Sequence, residues 1–231
     1  MIAAKTLLAA AVTTALLSGC DVGSVGETLN ETVSFDLDGS KSVHVELGMG
    51  SGELYVTSGT PKLMEGKFSY NVADWKPVAD YRADGTLKLS QPHLSGSSVG
   101  SSVNNWDVKL NSELPLDVTA SLGAGEANLD LGKLNLNRVE MSIVAGKVDM
   151  DLRGEPKRDY TVQIRGGVGE TVVHLPRDVA IAATATNGIG DISIEGLENR
   201  DGLWVNPDRI GGSVTVRLNV KGGIGRIRLI R

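Results

Sequence analysis

The sequence predicts an all-β fold: a single β-solenoid-like domain of stacked strands, with two sheets around a narrow aliphatic core. Three observations lead there. A glycine turn recurs in fixed phase along the chain, and apolar and polar residues alternate on both sides of it. The 231 residues include 29 glycines but only 4% aromatics, which suits a thin interior crossed by many tight turns.

The repeat is the strongest of these signals. Its copies are Gly123-Ala-Gly125-Glu-Ala-Asn-Leu-Asp-Leu131, Val144-Ala-Gly146-Lys-Val-Asp-Met-Asp-Leu152, Gly167-Val-Gly169-Glu-Thr-Val-Val-His-Leu175, Gly188-Ile-Gly190-Asp-Ile-Ser-Ile-Glu-Gly196 and Gly223-Ile-Gly225-Arg-Ile-Arg-Leu-Ile230. The second glycines at 125, 146, 169 and 190 are spaced by 21–23 residues. The fifth copy follows an insertion containing Gly202, Trp204 and Pro207, and Gly50-Ser-Gly52 begins an earlier one.

Val118, Ala120 and Leu122 lead into one glycine turn, and Val139, Met141 and Ile143 into the next. Period-two alternation marks half-buried strands. Each unit therefore reads as strand, glycine turn, strand and polar connection, as in Arg153-Gly-Glu-Pro-Lys-Arg158. One unit cannot bury its apolar side alone, but stacked units can. Stacking in chain order predicts an inward row of Ala127, Val148, Thr171, Ile192 and Ile227. A second row holds Leu129, Met150, Val173, Ile194 and Leu229. Each buried aliphatic contributes about 1.5–3 kcal/mol. An antiparallel meander sandwich is the alternative that short connections permit.

Residues 27–110 follow the pattern less regularly. Strands are expected around Val33–Leu37, Val43–Leu47, Phe68–Val72 and Leu87–Leu89. The run from Ser95 to Ser102 reads as a surface loop of serine and glycine.

At the N-terminus, Lys5 precedes the apolar run Thr6–Leu17, and Leu17-Ser18-Gly19-Cys20 closes it. This has the form of a secretory signal peptide, too short for the roughly 20 residues of a membrane-spanning helix. Its ending resembles a lipobox, in which Cys20, the single cysteine of the chain, would be acylated before the signal is cut away. One acyl chain anchors marginally, at about 0.8 kcal/mol per buried CH₂, whereas two or three hold firmly. Asp21 resembles the sorting signal that retains enterobacterial lipoproteins in the inner membrane. The expected organisation is a signal peptide over 1–19, a lipidated tether over 20–26 and a β domain over 27–231. The chain would then be held at the cell membrane or outer membrane, facing the periplasm or exterior.

Charge and motifs narrow the function classes. The net charge is −5 with the signs interspersed, so no basic stripe is present to attract nucleic acid. The glycine pairs are followed by strands, not by the helix that a dinucleotide fingerprint requires. His44, His93 and His174 lack partners at zinc-ligand spacing. No nucleophile setting or acid–base pair is visible, so a non-enzymatic chain without cofactor is expected. Asp130, Asp151, His174 and Glu195 form an outward row in which Asp130, Asp151 and Glu195 could hold calcium, although a hydrated acidic face is the simpler reading. The adjoining row Glu126, Lys147, Glu170, Asp191 and Arg226 mixes signs. Trp75, Trp106 and Trp204 either cap the core or, exposed together, stack on carbohydrate. The closing strand Arg226-Ile-Arg-Leu-Ile-Arg231 is expected at the end of the stack.

Four stretches together resemble the toast-rack family of bacterial envelope domains, often labelled adhesins. They are Glu46-Leu-Gly-Met-Gly-Ser-Gly-Glu-Leu-Tyr55, Leu63-Met-Glu-Gly-Lys-Phe-Ser-Tyr-Asn71, Trp106-Asp-Val-Lys-Leu110 and Leu122-Gly-Ala-Gly-Glu-Ala-Asn-Leu-Asp-Leu131. The resemblance implies a stacked β architecture and supplies no catalytic residues. The function expected is a lipid-anchored envelope protein that presents a β surface to a protein partner, as adhesin, scaffold or stress-response component. The alternative is a lipoprotein binding an envelope glycan or a calcium-dependent ligand.

Overall fold

A computed structural model describes residues 25–92, 102–209 and 214–231. The signal peptide, Cys20, Asp21, His93 and most of the serine–glycine run lie outside the described residues. Thirteen strands form one hydrogen-bonded sheet among the described residues. They are β1 (Val25–Phe35), β2 (Val43–Ser58), β3 (Met64–Val72), β4 (Val78–Tyr81), β5 (Thr86–Ser90), β6 (Asn104–Leu110) and β7 (Leu116–Asp130). Then follow β8 (Leu136–Asp151), β9 (Tyr160–His174), β10 (Ala180–Glu195), β11 (Glu198–Arg200), β12 (Leu203–Val205) and β13 (Thr215–Ile230). The first strand begins at Val25, inside the stretch expected as tether. Among the described residues no helix is long and apolar enough to cross a membrane.

Each repeat is one long strand that runs through its glycine turn. The path of the chain shows why that strand must fold back on itself. β7 has 15 residues, which would span about 50 Å if straight. Residues 131–135 alone return the chain to the start of β8, a reach of at most ~22 Å. Yet β7 and β8 pair in parallel from Leu116↔Leu136 to Asp130↔Asp151. Only a strand doubled over at its middle satisfies both conditions. The first halves of the rungs thus form one layer and the second halves the other, with the bend joining them into a continuous sheet.

Side-chain parity confirms the bend. In β7 the buried residues are Leu116, Val118, Ala120 and Leu122 before the turn, and Ala127 and Leu129 after it. The switch from even to odd keeps both halves facing the same interior. Gly125 makes the bend, at φ 130°. A Cβ built there would lie 1.9 Å from the carbonyl oxygen of Gly52 on the neighbouring rung. Gly52, Gly125, Gly146, Gly169, Gly225 and Gly190 continue as one column across the stack.

The rung pairings are parallel throughout, in the order β2-β7-β8-β9-β13-β10. This excludes the antiparallel meander. It also corrects stacking in chain order, because β13 inserts between β9 and β10. The first inward row therefore runs Leu54, Ala127, Val148, Thr171, Ile227, Ile192. Electrostatics favours the insertion. Chain order would set Glu170 beside Asp191, and like charges on neighbouring strands repel. In the structure Arg226 separates them, its Nη1 3.8 Å from Glu170 Oε1.

The two layers part company at β2. Its first half pairs with β5, backed by β4, and its second half pairs with β6, followed by β3 and β1. Trp106 fills this end, fully buried and edge-on to Phe68 with ring centroids 5.5 Å apart. Its indole N–H donates to Asn104 Oδ1 at 3.0 Å, and Asn104 Nδ2 donates to the Ser51 carbonyl at 2.7 Å. At the opposite end, β12 pairs with β10 at Ala182 and Ala183 alone.

Candidate interaction surface

The bend of each rung projects one side chain between its turn residues. Across the stack these are Ser51, Ala124, Ala145, Val168, Ile224 and Ile189. The residues grow larger and more apolar toward β10. Val168, Ile224 and Ile189 are exposed, Ile189 to 68%, and Val144 beside them is 70% exposed. Single exposed aliphatics are ordinary, whereas a row of them marks a contact surface. The apolar–polar alternation of the strands does not mark this ridge. The signal was the middle residue of each turn, where Val168, Ile189 and Ile224 replace serine or alanine.

The ridge ends at a bare edge. At the ends of the stack, β5 and β6 cover the two halves of β2, and β12 pairs with the first half of β10 at Ala182 and Ala183. No described strand pairs with the outer side of Ile189–Glu195. The interior shows through at this point. Ile227 is 2% exposed, while Ile192, its register partner one rung outward, is 41% exposed. Ile194 is half-buried, although Leu229, Val173 and Met150 in the same row are fully buried. The outward side chains of this edge are Asp191, Ser193 and Glu195. Arg228 of β13 reaches Glu195 at 3.8 Å, and Asp191 makes no ion pair within the described residues.

The structure brings only part of the predicted acidic row together. Asp130 lies in register with Asp151, and Asp151 with His174. The next residue is Ile230, and Glu195 follows it, three rungs away from Asp151. The row expected from chain order is corrected accordingly. Asp151 is already engaged, since Arg153 Nε donates to both its oxygens at 3.0 Å and the Arg153 backbone N–H donates at 2.8 Å. Burial pushes its carboxyl up, but these bonds more than offset that and hold it below the ordinary carboxylate value. Among the described residues no group of three or more His, Cys, Asp or Glu is placed to hold a metal ion.

The histidines and tryptophans follow the surface logic of alternation. His44 is half exposed, 3.4 Å from Glu46, and His174 lies 3.5 Å from Asp149. Trp75 and Trp106 are buried and Trp204 is half-buried against the core, so the three share no open stacking face. The arginine-rich closing strand lies inside the stack and not at its end. β10 holds the end position.

A family match and one solved structure agree with this architecture. The family described as the N-terminal domain of toast_rack, DUF2154, matches residues 24–174. A candidate cell-adhesion protein from Clostridium sporogenes is 31% identical, with 88% of this chain and 99% of that one covered at a TM-score of 0.85. Candidate adhesins from Bacteroides fragilis and Parabacteroides merdae are 13% and 12% identical. Their matches cover 88% and 89% of this chain and 97% of each of theirs, at TM-scores of 0.26 and 0.28. Among curated proteins, none matches the chain.

Proposed function

The chain belongs to the toast-rack family, and we propose that it is a lipid-anchored envelope protein whose β stack docks a protein partner without catalysing a reaction. The observation that carries this reading is the surface just described. An apolar ridge runs along the bends and meets a strand edge with no described partner, while the other outward rows of the stack are mostly polar or charged. A rigid stack suits such a role, because docking onto a preformed surface loses little conformational entropy. The adhesion role named for the Clostridium sporogenes relative points the same way.

Anchoring is proposed from Cys20 and its lipobox-like setting, with Asp21 favouring the inner membrane. An acylated cysteine a few residues before Val25 holds the stack close to the lipid surface. The buried positions of Trp75 and Trp106 give the glycan-stacking alternative no support.

Two measurements test the proposal. Cys20→Ser should leave the β domain folded and move the protein from the membrane fraction to the soluble one. Retention of the variant in membranes overturns the anchor. Crosslinking from the anchored wild type should recover a discrete envelope protein, and a chain that crosslinks to nothing overturns the docking role.

A further inference from the structure

We propose that the outer edge of Ile189–Glu195 is a strand-docking site. Its occupant is an extended segment of the partner in which arginine or lysine alternates with branched aliphatic residues. The inference rests on the docking role above and names the surface and the partner chemistry.

Three features define the site. The backbone groups along the outer side of this half-strand have no ladder partner among the described residues. Ile192 and Ile194 face the open end of the interior, where the next rung would cover them, as Ile227 and Leu229 are covered. Asp191 and Glu195 place negative charge on the outward face beside that edge. An added strand completes the backbone ladder, while alternate side chains fill the interior and meet the carboxylates.

The chain itself shows what fits β10. On its paired side lies Arg226-Ile-Arg-Leu-Ile230, with Arg226 in register with Asp191 and Ile227 with Ile192. Arg228 reaches across to Glu195 at 3.8 Å. A segment of the same alternation is complementary to the free side as well. A second copy of this chain is a poor occupant. Two-fold pairing centred on Ser193 would set Asp191 against Glu195 of the other copy, and like charges directly opposite destabilise a strand pair. Exposed edges invite unwanted pairing, and charge is the usual means of restricting it. Here the charge excludes acidic strands, including this one, and admits basic ones.

The test uses the purified full chain and a fluorophore-labelled synthetic peptide with the sequence of residues 221–231. Anisotropy should show saturable binding, and amide exchange should show new protection confined to residues 189–195. Ile192→Lys and Asp191→Lys/Glu195→Lys change exposed side chains, so both variants should fold. Each should weaken binding at least tenfold. A peptide with glutamate in place of its arginines should bind the doubly reversed variant better than the wild type. Absence of peptide binding overturns the proposal, as does equal binding by the variants or protection elsewhere in the chain. Self-association of the wild type through this edge, abolished by Ile192→Lys, overturns it in favour of a second copy. An envelope partner that crosslinks equally to wild type and to Ile192→Lys overturns the edge assignment while leaving the docking role intact.

Discussion

Replacing Gly169 with alanine probes the column of glycines that lets the rungs stack. Gly169 sits at the centre of the stack with φ 139°, and a Cβ there would lie 1.8 Å from the carbonyl oxygen of Gly146. The conformation alone costs an L-residue about 1–3 kcal/mol. Ordinary contact begins near 3.4 Å, so the rungs must part locally by about 1.6 Å, on a spacing of ~4.8 Å. That opening stretches neighbouring ladder bonds beyond hydrogen-bonding range. Two or three such bonds, at about 1 kcal/mol each, are lost. The total is about 3–6 kcal/mol, a large part of the ~5–15 kcal/mol typical of a folded domain. Gly39 is the control, with φ 85° and no atom within 4 Å of a built Cβ. Gly39→Ala should show only the conformational cost. Urea denaturation of both variants measures the difference, which should be at least about 2 kcal/mol. Equal losses in the two variants would refute the stacked-column reasoning.

Other perturbations separate the parts of the fold. Ile227→Ala, at a fully covered position, should cost about 2–5 kcal/mol. Ile192→Ala, its exposed register partner, should cost less than about 1 kcal/mol, as judged by denaturation midpoints. Removing residues 214–231 should abolish the cooperative transition in circular dichroism, because β13 lies between two other rungs, whereas loss of a terminal rung would only fray the stack. Asp159 clamps the start of β13 by accepting from the Thr215 N–H at 2.8 Å and from Arg217 Nη1 at 3.0 Å. Those bonds, the Thr215 backbone bond foremost, hold its carboxyl below the ordinary aspartate value. A depressed carboxylate adds stability above its unfolded pKa, and that stability is lost as pH falls through the folded value. The gap in melting temperature between wild type and Asp159→Asn should therefore be present at pH 7 and narrow as the pH falls below the ordinary aspartate range.

The rung itself was legible in the sequence because its signals are local. Val139, Met141 and Ile143 alternate up to Gly146, and Val148 and Met150 resume in the opposite parity, so both the bend and the inward face can be read from one copy. The order of rungs was not legible from periodicity, since β10 and β13 carry the same pattern and either can follow β9. Charge held that information. Glu170 and Asp191 repel as neighbours, and Arg226 between them does not. With Arg226 in that place, Glu195 lies three rungs from Asp151 and the calcium row dissolves. The tryptophans were ambiguous for a different reason. Burial of Trp75 and Trp106 depends on strands β1 to β6, where the antiparallel pairs β1–β3, β3–β6 and β4–β5 carry no repeat. The ridge falls outside the period-two pattern, because Val168, Ile189 and Ile224 stand between the turn glycines and not in the strand alternation.

The position of β13 is the point on which the bare edge, and with it the docking surface, depends. Paired cysteines measure it directly in a Cys20→Ser background, because strands one rung apart lie within disulfide reach and strands two rungs apart do not. Under mild oxidation, Glu170→Cys with Arg226→Cys should crosslink, and Glu170→Cys with Asp191→Cys should stay reduced. The reverse outcome would put the rungs in chain order, leave β13 at the end of the stack and contradict the account.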